Sequence, residues 1–168
     1  VYESTPSFPP NMNPANTQGI NQYDNKCNSC TLENNIVYAN HWWGIGMVRG
    51  IENSEIRGNT VYGCISGNGE ARIMVQLEGQ NTYIWNNIAG AFVDESGQAN
   101  LNNNKDISTC SGSDGTTYFV NVNDQDFHLK PTAPAVDAGS TNHAPSDDFE
   151  GDIRACGSIV DIGADEVC

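Results

Sequence analysis

An all-β fold of stacked coils, a parallel β-helix, is predicted for this chain by two recurring phrases and by their chemistry. One phrase is apolar and Asn-bearing: CTLENNIVYAN from Cys30, SEIRGNTVYGC from Ser54 and TYIWNNIAGAF from Thr82 put Leu32, Ile56 and Ile84 in register, at spacings of 24 and 28. A second phrase precedes each copy: GINQY at Gly19, GIGMV at Gly44 and ARIMVQL at Ala71 align Ile20, Ile45 and Ile73, at spacings of 25 and 28. The phrases are short, β-branched and bounded by Gly, Asn or Ser, with apolar residues alternating, which is strand and turn chemistry. Gly44, Gly46 and Gly50 leave no 3.6-residue stripe for a helix.

A repeat of two or three strands that advances one sheet spacing, ~4.8 Å, per coil stacks each strand in parallel on its equivalent in the next coil. Residues 19–109 are read as about three to four such coils. The last is a shortened copy, GQANLNNNKDIST, with Leu101 in the apolar slot. Residues 1–18 carry Pro6, Pro9, Pro10 and Pro14, so they read as an extended N-terminal arm unable to form a ladder strand. Residues 110–168 do not repeat and read as a C-terminal cap that closes the final coil. The first coil then exposes strand edges that the arm, upstream sequence or another subunit must cover.

The recurring asparagines Asn35, Asn59 and Asn87 fall at bends, where Asn tolerates left-handed backbone and its amide can bond to the Asn above and below. They are expected to form an asparagine ladder. None of the chain's asparagines begins an N-x-Ser/Thr sequon, so a glycan does not explain them.

Seven Lys and Arg against 21 Asp and Glu give a net charge of −14, which repels phosphates and excludes nucleic acid as the natural partner. No apolar run approaches the ~20 residues of a membrane-spanning helix, and VYESTPSFPP has neither the basic flank nor the apolar centre of a signal peptide. Cys27, Cys30, Cys64, Cys110, Cys156 and Cys168 form an even set with 15 possible connectivities. CNSC has redox spacing without the βαβ surroundings, and a zinc site would need a second close pair. Disulfides are therefore the expectation, and with them an oxidising, secreted or cell-surface location.

The C-terminal phrases DFHLKPTAPAVDAG at Asp126, DFEG at Asp148 and VDIGADE at Val160 resemble the terminal signature of secreted bacterial right-handed parallel β-helix proteins, relatives of polysaccharide lyases. The resemblance covers about 40 residues. It implies right-handed coils and export. It does not carry over an activity: the lyases of this fold use a Lys or Arg as base and acid, sometimes with Ca²⁺.

Candidate contact residues are few. Arg49 and Arg72 stand on neighbouring coils, where they could grip a carboxylate together, or each could pair with a local Glu such as Glu52, Glu55 or Glu70. His41, Trp42 and Trp43 sit in a turn between coils and suit a sugar ring or a subunit contact. Asp94 and Glu95 read as solvated turn acids rather than a glycosidase pair. No cofactor motif is present; the acidic terminal loops offer oxygen ligands of the kind Ca²⁺ takes, foremost Asp147, Asp148 and Asp152. Two functions of different class follow. One is a non-catalytic extracellular β-helix module for assembly or adhesion, with self-association or a polysaccharide as partner; the other is the C-terminal part of a polysaccharide lyase or hydrolase whose catalytic coils lie upstream.

Overall fold

The computed structural model of the chain describes residues 2–3, 19–22, 26–40, 43–64, 71–107 and 113–168. Within them the chain makes four successive passes. The first lays down β2 (Ile20–Gln22), β3 (Cys27–Asn28), β4 (Thr31–Glu33) and β5 (Ile36–Asn40). The second repeats the pattern with β6 (Ile45–Met47), β7 (Ile51–Glu52), β8 (Glu55–Arg57) and β9 (Thr60–Cys64). The third comprises β10 (Arg72–Val75), β11 (Tyr83–Trp85) and β12 (Ile88–Ala89), and the fourth β13 (Ala91–Asp94), β14 (Asn100–Asn102) and β15 (Lys105–Asp106).

Equivalent strands pair in parallel, so three stacked sheets result, ordered β2-β6-β10-β13, β4-β8-β11-β14 and β5-β9-β12-β15, with β3-β7 a short ribbon between the first two. The register is the one that the repeat dictates. Leu32, Ile56, Ile84 and Leu101 are successive partners in the second sheet, and Ile20, Ile45, Ile73 and Phe92 in the first. Alternation along each strand turns Val37, Ile45, Ile56, Val61, Ile73 and Ile84 into a common interior, where each is fully buried. Each such side chain contributes about 1.5–3 kcal/mol of burial free energy.

The bends divide two tasks between adjacent residues. Asn34, Gly58, Asn86 and Asn103 hold the left-handed conformation, at φ 56°, 58°, 56° and 49°. The following residues Asn35, Asn59, Asn87 and Asn104 turn inward and build the ladder: each Nδ2 donates to the Oδ1 of the next, at 2.9 Å for all three links. The left-handed residue is thus one position earlier than the ladder residue, because only the residue past the bend points its side chain into the interior. The backbone N–H of each ladder residue also donates to the same Oδ1 of the next, at 3.0 Å. Asn87→Leu removes the Oδ1 that accepts from the buried Asn59 backbone N–H and Nδ2, and the Nδ2 that donates to the Ile56 and Trp85 carbonyls at 2.8 and 2.9 Å. Asn59 Nδ2 keeps the Leu32 and Arg57 carbonyls, so the backbone N–H of Asn59 is the group left without its acceptor. At about 1–3 kcal/mol for a buried group left unsatisfied, the expected loss is about 1–3 kcal/mol, read as a lower urea midpoint at unchanged slope. The exposed control Gln98→Ala is expected to move it by less than about 0.5 kcal/mol.

Two expectations change. The arm was to be barred from the ladder by its prolines, yet its residues Tyr2–Glu3, strand β1, pair in parallel with Val37 and Tyr38 of β5. They precede Pro6 and keep their own backbone donors. The second change concerns the C-terminal segment, which contains helix α1 (Ser113–Tyr118), the antiparallel pair β16 (Phe119–Asn121) and β17 (Asp126–Leu129), and irregular chain to residue 168. It lies along the flank of the stack. Ile36, Tyr38, Tyr62 and Ile88 point outward from the third sheet and form a second apolar core with Phe119, Phe127, Leu129, Ala135 and Ile162. A sheet face that is apolar must be covered, and the terminal segment covers it. By contrast β14 on the last pass is exposed along its length, with Leu101 at 40 % exposure, and among the described residues nothing caps it.

Candidate functional site

The terminal segment has little regular structure, so its buried backbone N–H groups need other acceptors. Carboxylates supply them. Asp148 Oδ1 accepts from the N–H groups of Glu150, Gly151 and Asp152 at 2.8, 2.9 and 2.9 Å. Asp161 accepts from Asp137 and Val167 at 2.7 and 2.8 Å, Glu166 from Ala155 and Asp161 at 2.8 Å each, and Asp165 from Leu129 at 2.7 Å. Asp137 accepts from Ser158 and Ile159 at 2.7 and 3.0 Å.

Arg154 sits among these acids, only 6 % exposed. Its guanidinium donates to the carbonyls of Asp147 and Gly163 at 3.0 and 2.8 Å and to Asn34 Oδ1 at 3.0 Å, and stands 3.5 Å from Glu166. Burial lifts Asp161, Asp165 and Glu166 above the ordinary carboxylate range, against the pull of their N–H donors. Burial likewise draws Arg154 below its ordinary value, opposed by the surrounding carboxylates. The docking surface is the bend column itself. Asn34 Nδ2 donates to the Asp147 carbonyl, Asn86 exchanges two bonds with the Ser140 backbone, and the Ala164 N–H donates to Thr60 Oγ1. Gly58 belongs here because a Cβ would lie 2.9 Å from Pro145 Cγ and 3.2 Å from the Arg154 guanidinium.

Where β17 leaves this layer, a cleft of about 400 Å³ opens. Alternation along β17 turns Phe127 and Leu129 inward and leaves Asp126 and His128 at the surface. Tyr38, Phe127 and Phe149 supply aromatic surface, and Asp124, Asp126 and His128 polar groups. His128 is held on both ring nitrogens: Nδ1 lies 2.6 Å from Asp126 Oδ1 and Nε2 3.0 Å from Glu150 Oε2. The Asp126 bond, opposed by partial burial and aided by Glu150, pushes its pKa up to about 9. An aromatic face beside hydrogen-bond acceptors suits a ring that carries hydroxyl groups, or a cation.

The outer face of the second sheet carries a second polar cluster. Arg57 pairs with Glu33 at 2.8 Å and with Glu55, and His143 bridges to Glu55 at 2.9 Å while stacking on Tyr83 with ring centres 4.0 Å apart. Along the ribbon, Lys26 joins Glu52 and Glu78 at 2.8 and 2.7 Å, which ties three passes together. No family model, no curated protein and no solved structure matches this chain.

The contact residues read from sequence are scattered. His41 and Trp42 lie outside the described residues, and Trp43 is half-buried over Gly46. Register sets Arg72 beside Ala91 and one residue before the Ile73–Ile45 pair, so Arg49 stands five positions further along the preceding pass and the two do not form a clamp. Of the Ca²⁺ candidates, Asp148 is committed to N–H groups, while Asp147 and Asp152 are exposed and do not converge with it. Asp94 is a turn acceptor for the N–H groups of Ser96, Gly97 and Ala99. Cys27 is bonded to Cys30 and Cys156 to Cys168; the Cys64 side chain and Cys110 lie outside the described set. Sequence reasoning did not single out Arg154, His128 or Glu150. The alternation in DFHL was the available signal, since it sets Asp126 and His128 on one face.

Proposed function

We propose that this chain is an exported, right-handed parallel β-helix module whose role is structural, with end-to-end self-association as its mode of assembly. One observation carries the reading: the apolar interior runs out at an edge that nothing among the described residues caps. Leu101 occupies the same column as Ile56 and Ile84, which are at most 1 % exposed, yet is itself 40 % exposed on the unpaired side of β14. An open parallel edge backed by an unfinished apolar column templates a further strand of the same kind. The first pass offers its complement, since β2 and β4 are the edge strands at the other end of their sheets. Contact of one end with the other does not close on itself, so it generates an open filament.

The disulfides Cys27–Cys30 and Cys156–Cys168 support an oxidising compartment. The unfinished edges favour a second copy over a polysaccharide as the main partner. The commitment of the signature acids to backbone N–H groups favours a structural role for that segment over a catalytic one. The test is light scattering over a concentration series, with electron microscopy of the same samples. The intact chain is expected to grow in mass with concentration and to form fibres, and Leu101→Lys to remain monomeric with little change in melting temperature. The added lysine lowers the net negative charge, so lost association cannot come from greater repulsion. A wild-type chain that stays monomeric at the highest concentration overturns the proposal.

A further inference from the structure

A ring nitrogen of His128, a carboxylate oxygen of Glu150 and a carboxylate oxygen of Asp165 all lie within 4.8 Å of one another. They come from β17, from the turn after Asp148, and from the closing VDIGADE phrase. We propose that these three side chains bind one divalent transition-metal ion, with Zn²⁺ the match to the donor set.

The ligand types fit first. One imidazole nitrogen and two carboxylate oxygens form a mixed N/O set of the kind zinc takes, with water free to complete a four-coordinate shell. Around Zn²⁺ the ligand atoms stand about 3.4 Å apart, given bonds of about 2.1 Å in a tetrahedron. Glu150 is exposed and can swing to close the difference.

The imidazole is already oriented as a metal ligand would be. Asp126 holds Nδ1 at 2.6 Å and Nε2 faces Glu150 at 3.0 Å, so an ion bound there displaces the proton that Nε2 otherwise shares with Glu150. A carboxylate on the far nitrogen is the outer-sphere partner that fixes tautomer and ring direction in histidine–zinc sites.

Asp165 supplies an independent sign. It is 5 % exposed, and its Oδ2 accepts the Leu129 N–H, but no donor among the described residues reaches its Oδ1. Burial works against its ionised form, which the Leu129 N–H and His128 favour and the charges of Asp148 and Glu150 oppose. A divalent ion at this point gives that oxygen, which is not sealed from solvent, a partner to hold and offsets the nearby negative charge. Ca²⁺ suits the site poorly, since it seeks six to eight oxygens and gains little from an imidazole. A bound ion would join three segments of the terminal layer, two of which already share the bond from the Phe149 N–H to the Ala164 carbonyl at 3.0 Å, and His128 would place it at the margin of the aromatic cleft.

The test uses the intact, disulfide-bonded chain after chelator treatment and dialysis, titrated with ZnCl₂ and separately with CaCl₂ by calorimetry, with melting curves at each end point. One equivalent of Zn²⁺ is expected to bind at least tenfold more tightly than Ca²⁺ and to raise the melting temperature. His128→Gln and Glu150→Gln are each expected to weaken Zn²⁺ at least tenfold, and Co²⁺ to give visible absorption that both variants lose. Glu150 is exposed, so Glu150→Gln decides the matter if the histidine variant folds poorly. Zn²⁺ binding that is absent, no tighter than Ca²⁺, or unchanged in Glu150→Gln overturns the site.

Discussion

Ile84→Asp is expected to unfold the stacked sheets. Ile84 lies between Ile56 and Leu101 in the second sheet and is 1 % exposed. The variant loses about 1.5–3 kcal/mol of apolar burial. It also sets a carboxylate among Ile45, Val61 and Ile73, with no cation in that cluster, which costs several kcal/mol more or forces the group to protonate. The sum rivals the whole stability of a typical domain, about 5–15 kcal/mol. Far-ultraviolet circular dichroism is expected to show the β signal replaced by that of a disordered chain, whereas Ile84→Val costs about 0.5–1.5 kcal/mol and keeps the spectrum. A folded, β-rich Ile84→Asp protein would contradict the interior position of this column.

Arg154→Met is expected to be the second large effect, and to act on the terminal layer. The guanidinium joins Asn34 of the first pass to Gly163 and Asp147 of the terminal segment, and opposes the charges of Asp148, Asp161, Asp165 and Glu166. Removing one partner of a buried ionic group costs about 3–5 kcal/mol. The loss should depend on pH. The folded pKa of Asp161 is raised above its unfolded value by burial, so between the two values the native state holds more protons than the unfolded one and stability falls as pH rises. Without Arg154, which favours the ionised form, that pKa climbs further and the falling window widens upward. The deficit of the variant against wild type is therefore expected to be largest near neutral pH and to shrink as pH falls toward the unfolded value of Asp161. Urea melts of both proteins across this range check it; a deficit independent of pH would assign the damage to lost packing alone.

Part of the fold was open to reading in the chain. Parallel stacking lays like residue on like, so the partners of Ile56 are written in the sequence as the residues 24 before and 28 after it. The ladder was legible for the same reason, although its fourth member, Asn104, follows Asn87 by only 17 residues and falls outside the period. The flank position of the terminal segment had a signal that periodicity alone did not decode. In IVY and TVY the residues on both sides of the strand are buried, Val37 and Val61 inward, Tyr38 and Tyr62 outward. A strand buried on two faces needs a second layer, and the aromatic residues of YFVNVNDQDFHL provide it.

The acids of the terminal phrases were less legible. Asp148 and Asp161 read as loop charges or cation ligands because sequence shows their charge and not the N–H groups they face. The meeting of His128, Glu150 and Asp165 depends on irregular chain between them, where no period constrains the path.

The sequence by itself determined the local rules: which residues alternate, where the bends fall, and which side chains stack on their own kind. Those rules repeat with the chain, so each coil restates them. Tertiary structure alone decided which face the last third of the chain would cover, that Arg154 would be sealed among carboxylates, and that Leu101 would lie at an edge uncovered among the described residues. These outcomes depend on non-repeating contacts between residues as far apart as Asn34 and Arg154, whose pairing is fixed by burial of the whole layer rather than by any neighbour in sequence.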